Sequence, residues 1–205
     1  MQLMLIRHGE TQHNVENRMS GWTDVSLNTR GEQQARQLGG RLKTIPVDLV
    51  ITSGMRRARQ TAEIAFSAAG YQQSFETWSS FREMNFGSLE SMTMEEIHQN
   101  YPQQYEEMMQ KKGVFMFPQG ESLQTFHERI KAASRLLFQR HAGKRIALVS
   151  HSGTIRSFLA EWIAGDWKTH WRFQVDHCTI TKVSFHEQFP VLHFFNESTH
   201  LNDLN

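Results

Sequence analysis

Two stretches decide the fold: Leu3-Met4-Leu5-Ile6-Arg7-His8-Gly9-Glu10-Thr11, and Ile146-Ala147-Leu148-Val149-Ser150-His151-Ser152-Gly153-Thr154. Each begins with a short apolar run that suits a strand buried on both faces, and Leu49-Val50-Ile51 repeats that character. Aligned, the two stretches place a histidine two positions past the last apolar residue. In a parallel sheet such exits share one edge, the carboxyl ends of the strands, where open α/β folds hold ligands. His8 and His151 are therefore expected to face each other across one pocket.

Working outward, each apolar run is followed by a helical pattern. Thr29-Arg30-Gly31-Glu32 matches a capping box, with Ala35, Leu38 and Leu42 continuing on one face. After Ile51 come Ala58, Ala62, Ala65, Phe66 and Ala69. Ser122 can cap a long helix carrying Leu123, Phe126, Ile130, Ala133 and Leu137, ending near Gly143. Past His151, Ile155, Phe158, Leu159, Trp162 and Ile163 keep the helical period. Thr179 to Phe185 alternates, and Val191 to Phe195 reads as a last strand. Strands alternating with helices predict an α/β fold with a parallel-rich sheet covered on both faces. Residues 84–120 break the rhythm and read as a small helical, cap-like insertion. With no repeat or linker, the expectation is one domain over 1–205.

The chain holds 205 residues, 22 Lys+Arg against 21 Asp+Glu, a formal net charge of +1 and 39% hydrophobic residues. That balance is globular, and it offers no general attraction for nucleic acid or anionic lipid. Any anion must be captured by a local cluster. The single cysteine, Cys178, cannot form an intramolecular disulfide and reads as a small buried strand residue. The run Leu3 to Ile6 is too short for a secretory signal, and no apolar stretch approaches a membrane span, so a cytoplasmic protein with no membrane partner is expected.

A local cluster is at hand. Arg7 adjoins His8, and the strand ending at Ile51 leads into a helix start bearing Arg56, Arg57 and Arg59. Arginines at a helix start oppose the macrodipole, so an anion gives them a reason to be there. Guanidinium forks, imidazoles and backbone N–H groups together suit a phosphate dianion. No Walker loop occurs, and the histidines lack metal-ligand spacing or a cysteine cluster. With 11 histidines present, any one is more often a surface or core residue than a catalyst. The paired context singles out His8 and His151. His13, His98, His127, His141, His170, His177, His186, His193 and His200 read as structural or solvent-facing.

The run Leu-Ile-Arg-His-Gly-Glu-Thr from Leu5 to Thr11 resembles the signature of the histidine phosphatase superfamily, the phosphoglycerate mutase-like family. The resemblance continues through Asn14, Gly21-Trp22-Thr23-Asp24, Leu27 to Gly31, and Ser53 to Thr61. It resumes at Phe81-Arg82-Glu83-Met84-Asn85-Phe86-Gly87, Gly120-Glu121-Ser122 and Val149-Ser150-His151-Ser152-Gly153. It implies a three-layer α/β/α sandwich around a mainly parallel sheet, and phosphoryl transfer without metal or organic cofactor. It further implies that His8 is the nucleophile, that Arg7, Arg57 and His151 bind the transferring phosphoryl group, and that Glu83 donates the proton. Asn14, Thr11, Thr23 and Ser152 complete the implied substrate-binding set, which phosphate or sulfate could also occupy. Cations beside His8 are expected to keep its imidazole unprotonated. Gly54 and Met55 depart from the Pro and Leu often found there, as does Ser91 from a frequent Gly; these bear on loop shape.

Within this family, mutases carry a longer insertion before the Gly-Glu-Ser motif, with extra arginines for a small acidic substrate. Here residues 84–119 contain Lys111 and Lys112 but no arginine, and are rich in Phe86, Met108, Met109, Phe115, Met116 and Phe117. That favours a phosphatase acting on a small-molecule phosphate ester with a bulky, less charged leaving group. The chain looks like the broad-specificity and alpha-ribazole phosphatases. A phosphoglycerate mutase is the alternative, and a phosphate-binding or protein-interaction module without catalysis the second. The last would need the arginines but no proton donor. Monomer and homodimer both stay open.

Overall fold

In a computed structural model of the chain, residues 1–72, 74–187 and 189–204 are described, the side chains of 112 and 202–204 excepted. The sheet has six strands: β1 (Gln2–Arg7), β2 (Leu49–Thr52), β3 (Glu76–Thr77), β4 (Arg145–Ser150), β5 (Ile180–His186) and β6 (Phe189–Glu197). Their order is β3-β2-β4-β1-β5-β6. The pairs β1–β4, β2–β4 and β2–β3 are parallel, while β5 runs antiparallel to both β1 and β6.

The apolar runs behave as central strands should. Leu3 and Leu5 enter one core with Ile146 and Leu148, whereas Met4 and Ile6 enter the other with Ala147 and Val149. Period-two alternation thus feeds both faces, and no polar side is left for water. On one face lie α2 (Thr29–Leu42) and α3 (Arg56–Ala68), through Ala35, Leu38, Leu42, Ala58, Ala62 and Phe66. On the other lie α6 (Leu123–Arg140) and α7 (Ser152–Trp162), through Phe126, Ile130, Leu137, Phe158 and Leu159. The result is a three-layer α/β/α sandwich. Each fully buried Leu or Phe contributes about 1.5–3 kcal/mol to it.

Residues 84–120 hold α4 (Met94–Asn100), α5 (Pro102–Lys111) and single turns of 3-10 helix, and give Ile97 and Met108 to the α6–α7 core. The short α1 (Gln12–Val15) follows β1. One expected cap is corrected. The N-cap of α2 is Asn28, whose side chain accepts from the Gly31 N–H, and Thr29 is already helical. Asn places a carbonyl oxygen where Thr29 would place a hydroxyl one residue too late. Ser122 does cap α6, with Thr125 reciprocating. Cys178 is fully buried and unpaired. Among the described residues, no helix is long and apolar enough to cross a membrane.

Candidate active site

The register of the central strands builds the site. Ile6 pairs with Val149 and Arg7 with Ser150, so β1 and β4 end level and release His8 and His151 side by side. The His8 N–H donates to Ser150 O at 2.9 Å, fixing that exit. The two rings lie edge to face, with centroids 5.2 Å apart. Thr52 pairs with Val149, so β2 ends at the same edge and sends Ser53 to His151 Nε2 at 2.8 Å. Both imidazoles are buried.

His8 Nδ1 lies 2.7 Å from Gly9 O. A carbonyl can only accept, so Nδ1 carries the proton and Nε2 keeps the lone pair. Burial holds the His8 imidazole well below the usual histidine range, and Arg57, His151, Arg7 and His177 push the same way. The cations expected to have this effect act second to burial. His151 is lowered for the same reasons. Gly9 has its own constraint: a side chain there would strike the backbone of Gly31, with Gly31 O at 2.5 Å. The two motif glycines let the β1 exit and α2 approach backbone to backbone.

Arg57 is fully buried, and among the described residues no carboxylate pairs with it. It donates instead to the carbonyls of Thr23, Ser20 and Gly21 at 2.8–2.9 Å. Arg7 donates to Val175 O at 2.7 Å. Among the described residues, the buried Nε of each finds no hydrogen-bond partner, nor does Nδ1 of His151. Burial draws both guanidiniums down to about 10, against the opposing pull of Glu83, so both are cationic at neutral pH. Unpaired donors beside two guanidinium cations are groups that an anion could satisfy. Arg56 and Arg59 point to solvent, pairing with Asp24 and Glu63.

Glu83 reaches the same edge from the other side. Its Oε2 accepts from the Gly153 N–H and its Oε1 from the Met84 N–H, both at 2.9 Å. A Cβ at Gly153 would sit 2.2 Å from Glu83 Oε1, so a side chain there would push the carboxylate from its present position. The His-Ser-Gly of the β4 exit thus serves the carboxylate as well as the imidazole. Thr11 caps α1, and both its N–H and its hydroxyl donate to Asn14 Oδ1, so the Asn14 NH₂ is committed to neither. Thr23 spends its hydroxyl on Glu90 at 2.6 Å. Ser152 is half-buried in the first turn of α7.

Three supporting groups escaped sequence reasoning. Glu90 accepts from the N–H groups of Gly21, Trp22, Thr23 and Phe86, and so holds the loop whose carbonyls grip Arg57. Arg129 donates to the carbonyls of Ser80, Arg82 and Glu83 and pairs twice with Glu121 at 2.7 Å, fixing the segment that carries Glu83. A carboxylate that binds backbone N–H groups leaves no spacing in sequence; only the Gly-Glu-Ser run flagged Glu121. The third is His177, whose ring centroid lies 5.9 Å from that of His8. Ser91 has φ 65° and donates its N–H to Met19 O, so a frequent glycine is replaced here without changing the left-handed turn.

Beside this polar pocket lies an apolar cavity of about 660 Å³. Met84, whose N–H holds Glu83, lines it, so it begins one residue from the carboxylate. Phe86, Met108, Met109 and Phe117 line it as well, joined by Met94, Val114, Trp167 and Trp171; Lys111 and Lys168 are its charged residues. Phe115 is buried in the core and Met116 is exposed; neither lines the cavity. Among the described residues, no group of three His, Cys, Asp or Glu is placed to hold a metal ion.

The model of the histidine phosphatase superfamily (branch 1) matches residues 3–198. The chain is 33% identical to a Citrobacter koseri protein named "Probable phosphoglycerate mutase GpmB", over 91% of this chain and 86% of that one. The alpha-ribazole phosphatase of Shigella flexneri superposes with a TM-score of 0.91 at 29% identity, covering 96% of each chain. The phosphoserine phosphatase of Entamoeba histolytica, solved with 3-phosphoglyceric acid, does so at 0.84 and 27%, covering 98% of each. The chain belongs to the histidine phosphatase superfamily.

Proposed function

We propose that the protein is a metal-independent phosphomonoesterase, working through a phosphohistidine on a small phosphorylated metabolite with a bulky, mostly apolar leaving group. One observation carries this reading: an imidazole with its lone pair fixed at Nε2 stands among the buried Arg57, the half-buried Arg7 and a second imidazole, beside an anchored carboxylate. His8 Nε2 attacks phosphorus in line; the P–O bond to the leaving group breaks as Glu83 protonates that oxygen. Water then attacks the phosphohistidine, giving its proton to Glu83 and releasing His8 and phosphate. Arg7, Arg57 and His151 offset charge on the equatorial oxygens, where a loose transition state carries most of it. Asn14 and Ser152 are the further phosphate contacts, while Thr11 acts by holding Asn14, on whose Oδ1 its N–H and hydroxyl are both spent. Thr23 acts less directly, since its hydroxyl is held by Glu90.

The cavity supports the substrate class. It can enclose a drug-sized group, and its lining is apolar apart from Lys111 and Lys168. The alpha-ribazole phosphatase likeness points the same way. A second reading, phosphoglycerate mutase, rests on the names of relatives such as that of Citrobacter koseri. Residues 84–120 serve either reading as a cap over the site.

The deciding experiment is phosphate release over a panel of p-nitrophenyl phosphate, 3-phosphoglycerate, sugar phosphates, nucleotides and alpha-ribazole phosphate, with EDTA and with His8→Ala. Release that survives EDTA and disappears in His8→Ala is the expected result. Interconversion of 2- and 3-phosphoglycerate without release would establish the mutase. No turnover of any kind would leave a binding module.

A further inference from the structure

His177 stands in the turn before β5, 169 residues from His8, and nothing in the chemistry above uses it. The turn is unusually constrained. Arg7 binds it twice: its guanidinium donates to Val175 O, and its carbonyl accepts from the Cys178 N–H at 3.0 Å. Cys178 holds φ 54°, a left-handed conformation that a non-glycine residue adopts at a cost. Asp176 is fixed from outside by Asn196 and Gln174, and Cys178 O is met by His200 Nε2 at 2.9 Å. Contacts on both sides thus hold one ring position beside His8.

The ring placed there is incomplete. His177 Nε2 is buried with no hydrogen-bond partner, in company with Arg7 Nε, Arg57 Nε and His151 Nδ1. Arg7, Arg57, His151 and His177 are also the four groups whose charge His8 senses. Four orphaned polar atoms on four side chains around one nucleophile ask for a partner with several acceptor oxygens. A phosphoryl group has them. Burial, with Arg7 beside it, draws His177 down to about 3, Asp176 opposing, so the ring is neutral and adds no charge to an already cationic pocket.

We infer that His177 is a further catalytic residue, whose neutral imidazole donates its Nε2–H to a non-bridging oxygen of the phosphoryl group, in the bound ester and in the phosphohistidine alike. The inference rests on the phosphatase reading of the same site. It differs from the roles of Arg7 and Arg57 in supplying direction without charge. Its contribution is common to all substrates, because the phosphoryl group is common to all; the apolar cavity acts on the leaving group alone.

The test compares His177→Phe, which fills the ring space without a donor, with His177→Gln, which keeps an N–H at similar reach. Binding of orthovanadate and inorganic phosphate is measured alongside kcat on p-nitrophenyl phosphate and on the best natural ester. The Phe variant is expected to lose roughly tenfold to a hundredfold in orthovanadate affinity, with a matching fall in kcat/KM for every ester, and the Gln variant to recover most of it. In wild-type protein labelled with 15N-histidine, inorganic phosphate should shift the His177 Nε2 signal, assigned by its absence from the Gln variant. This last measurement holds even if the Phe variant fails to fold. Phosphate that binds wild type while His177 stays unmoved, or a folded Phe variant with unchanged orthovanadate affinity, would overturn the inference and leave the phosphatase intact. Absence of phosphate binding and of turnover in wild type would overturn both.

Discussion

The two halves of the proposed substrate site are built on opposite principles. The pocket around His8 is small, buried and cationic, and its side chains are fixed by backbone carbonyls and N–H groups. The adjoining cavity is large and apolar, lined by methionine and aromatic side chains, several of them exposed at its rim. A pocket that must hold a shifting charge needs preorganised dipoles, because reorganisation during reaction costs rate. A cavity that needs only to exclude water tolerates soft, adaptable walls. On the proposed mechanism chemistry and specificity are therefore separable, and substitutions should divide accordingly.

On the proposed mechanism, Glu83→Gln should give the largest effect after loss of His8. In the first step it removes the proton, not the phosphoryl contacts, so its cost in kcat/KM, which reports the steps up to departure of the leaving group, depends on that group. We expect kcat/KM to fall roughly 10²- to 10⁴-fold on alkyl phosphates, and far less on p-nitrophenyl phosphate, whose phenolate leaves without a proton; kcat falls on both where hydrolysis of the phosphohistidine is slow. Equal losses of kcat/KM on both esters, in steady-state assays, would mean that Glu83 does not protonate the leaving group. Glu90→Gln should act more mildly and through Arg57: KM for every ester rises as the loop at Gly21 to Thr23 loosens, while the ratio between leaving groups stays constant.

The cavity gives the next effect. Met109 is 45% exposed on α5, so Met109→Glu adds a charge at the rim without disturbing the core. The kcat/KM for bulky apolar esters should fall about tenfold, the order expected when an apolar wall becomes charged. That for p-nitrophenyl phosphate should hardly change. A uniform loss across the panel would erase the division between the two regions.

That division also explains what the sequence disclosed. The pairing of His8 with His151 was legible because both sit at the same offset from apolar runs, and the register of β1 on β4 preserves that offset in space. The layers were legible from alternation and helical period. The groups that hold the site were not: Glu90 and Arg129 bind backbone atoms of distant segments, which no local pattern records. His177 shows the same limit from the other side. A histidine in a turn looks solvent-facing until an antiparallel strand carries that turn back to the end of β1. The cavity was half legible, since composition flagged residues 84–120 but could not tell Phe117, on the wall, from Phe115, in the core.

The smallest expected effect on rate comes with acid, and it separates catalysis from stability. On the proposed mechanism His8 must be unprotonated to attack, and its imidazole lies well below the usual range, so kcat/KM should stay within about twofold as the pH falls from 7 to 5.5. An ordinary histidine near 6.5 would lose roughly tenfold over that interval. Stability runs the other way. His8, His151, His170 and His177 are neutral in the folded chain, the last two with values of about 3, whereas all four take up protons near 6.5 once unfolded. The unfolded state then binds more protons, so the stability present above pH 6.5 is lost progressively below it, by up to about 1.4 kcal/mol per pH unit for each histidine. The Tm should therefore decline as the pH drops from 6.5 toward 4.5 while the surviving enzyme keeps its rate. Parallel loss of rate and Tm would mean that the pocket around His8 admits water and protons freely, and that burial is not what keeps the nucleophile neutral.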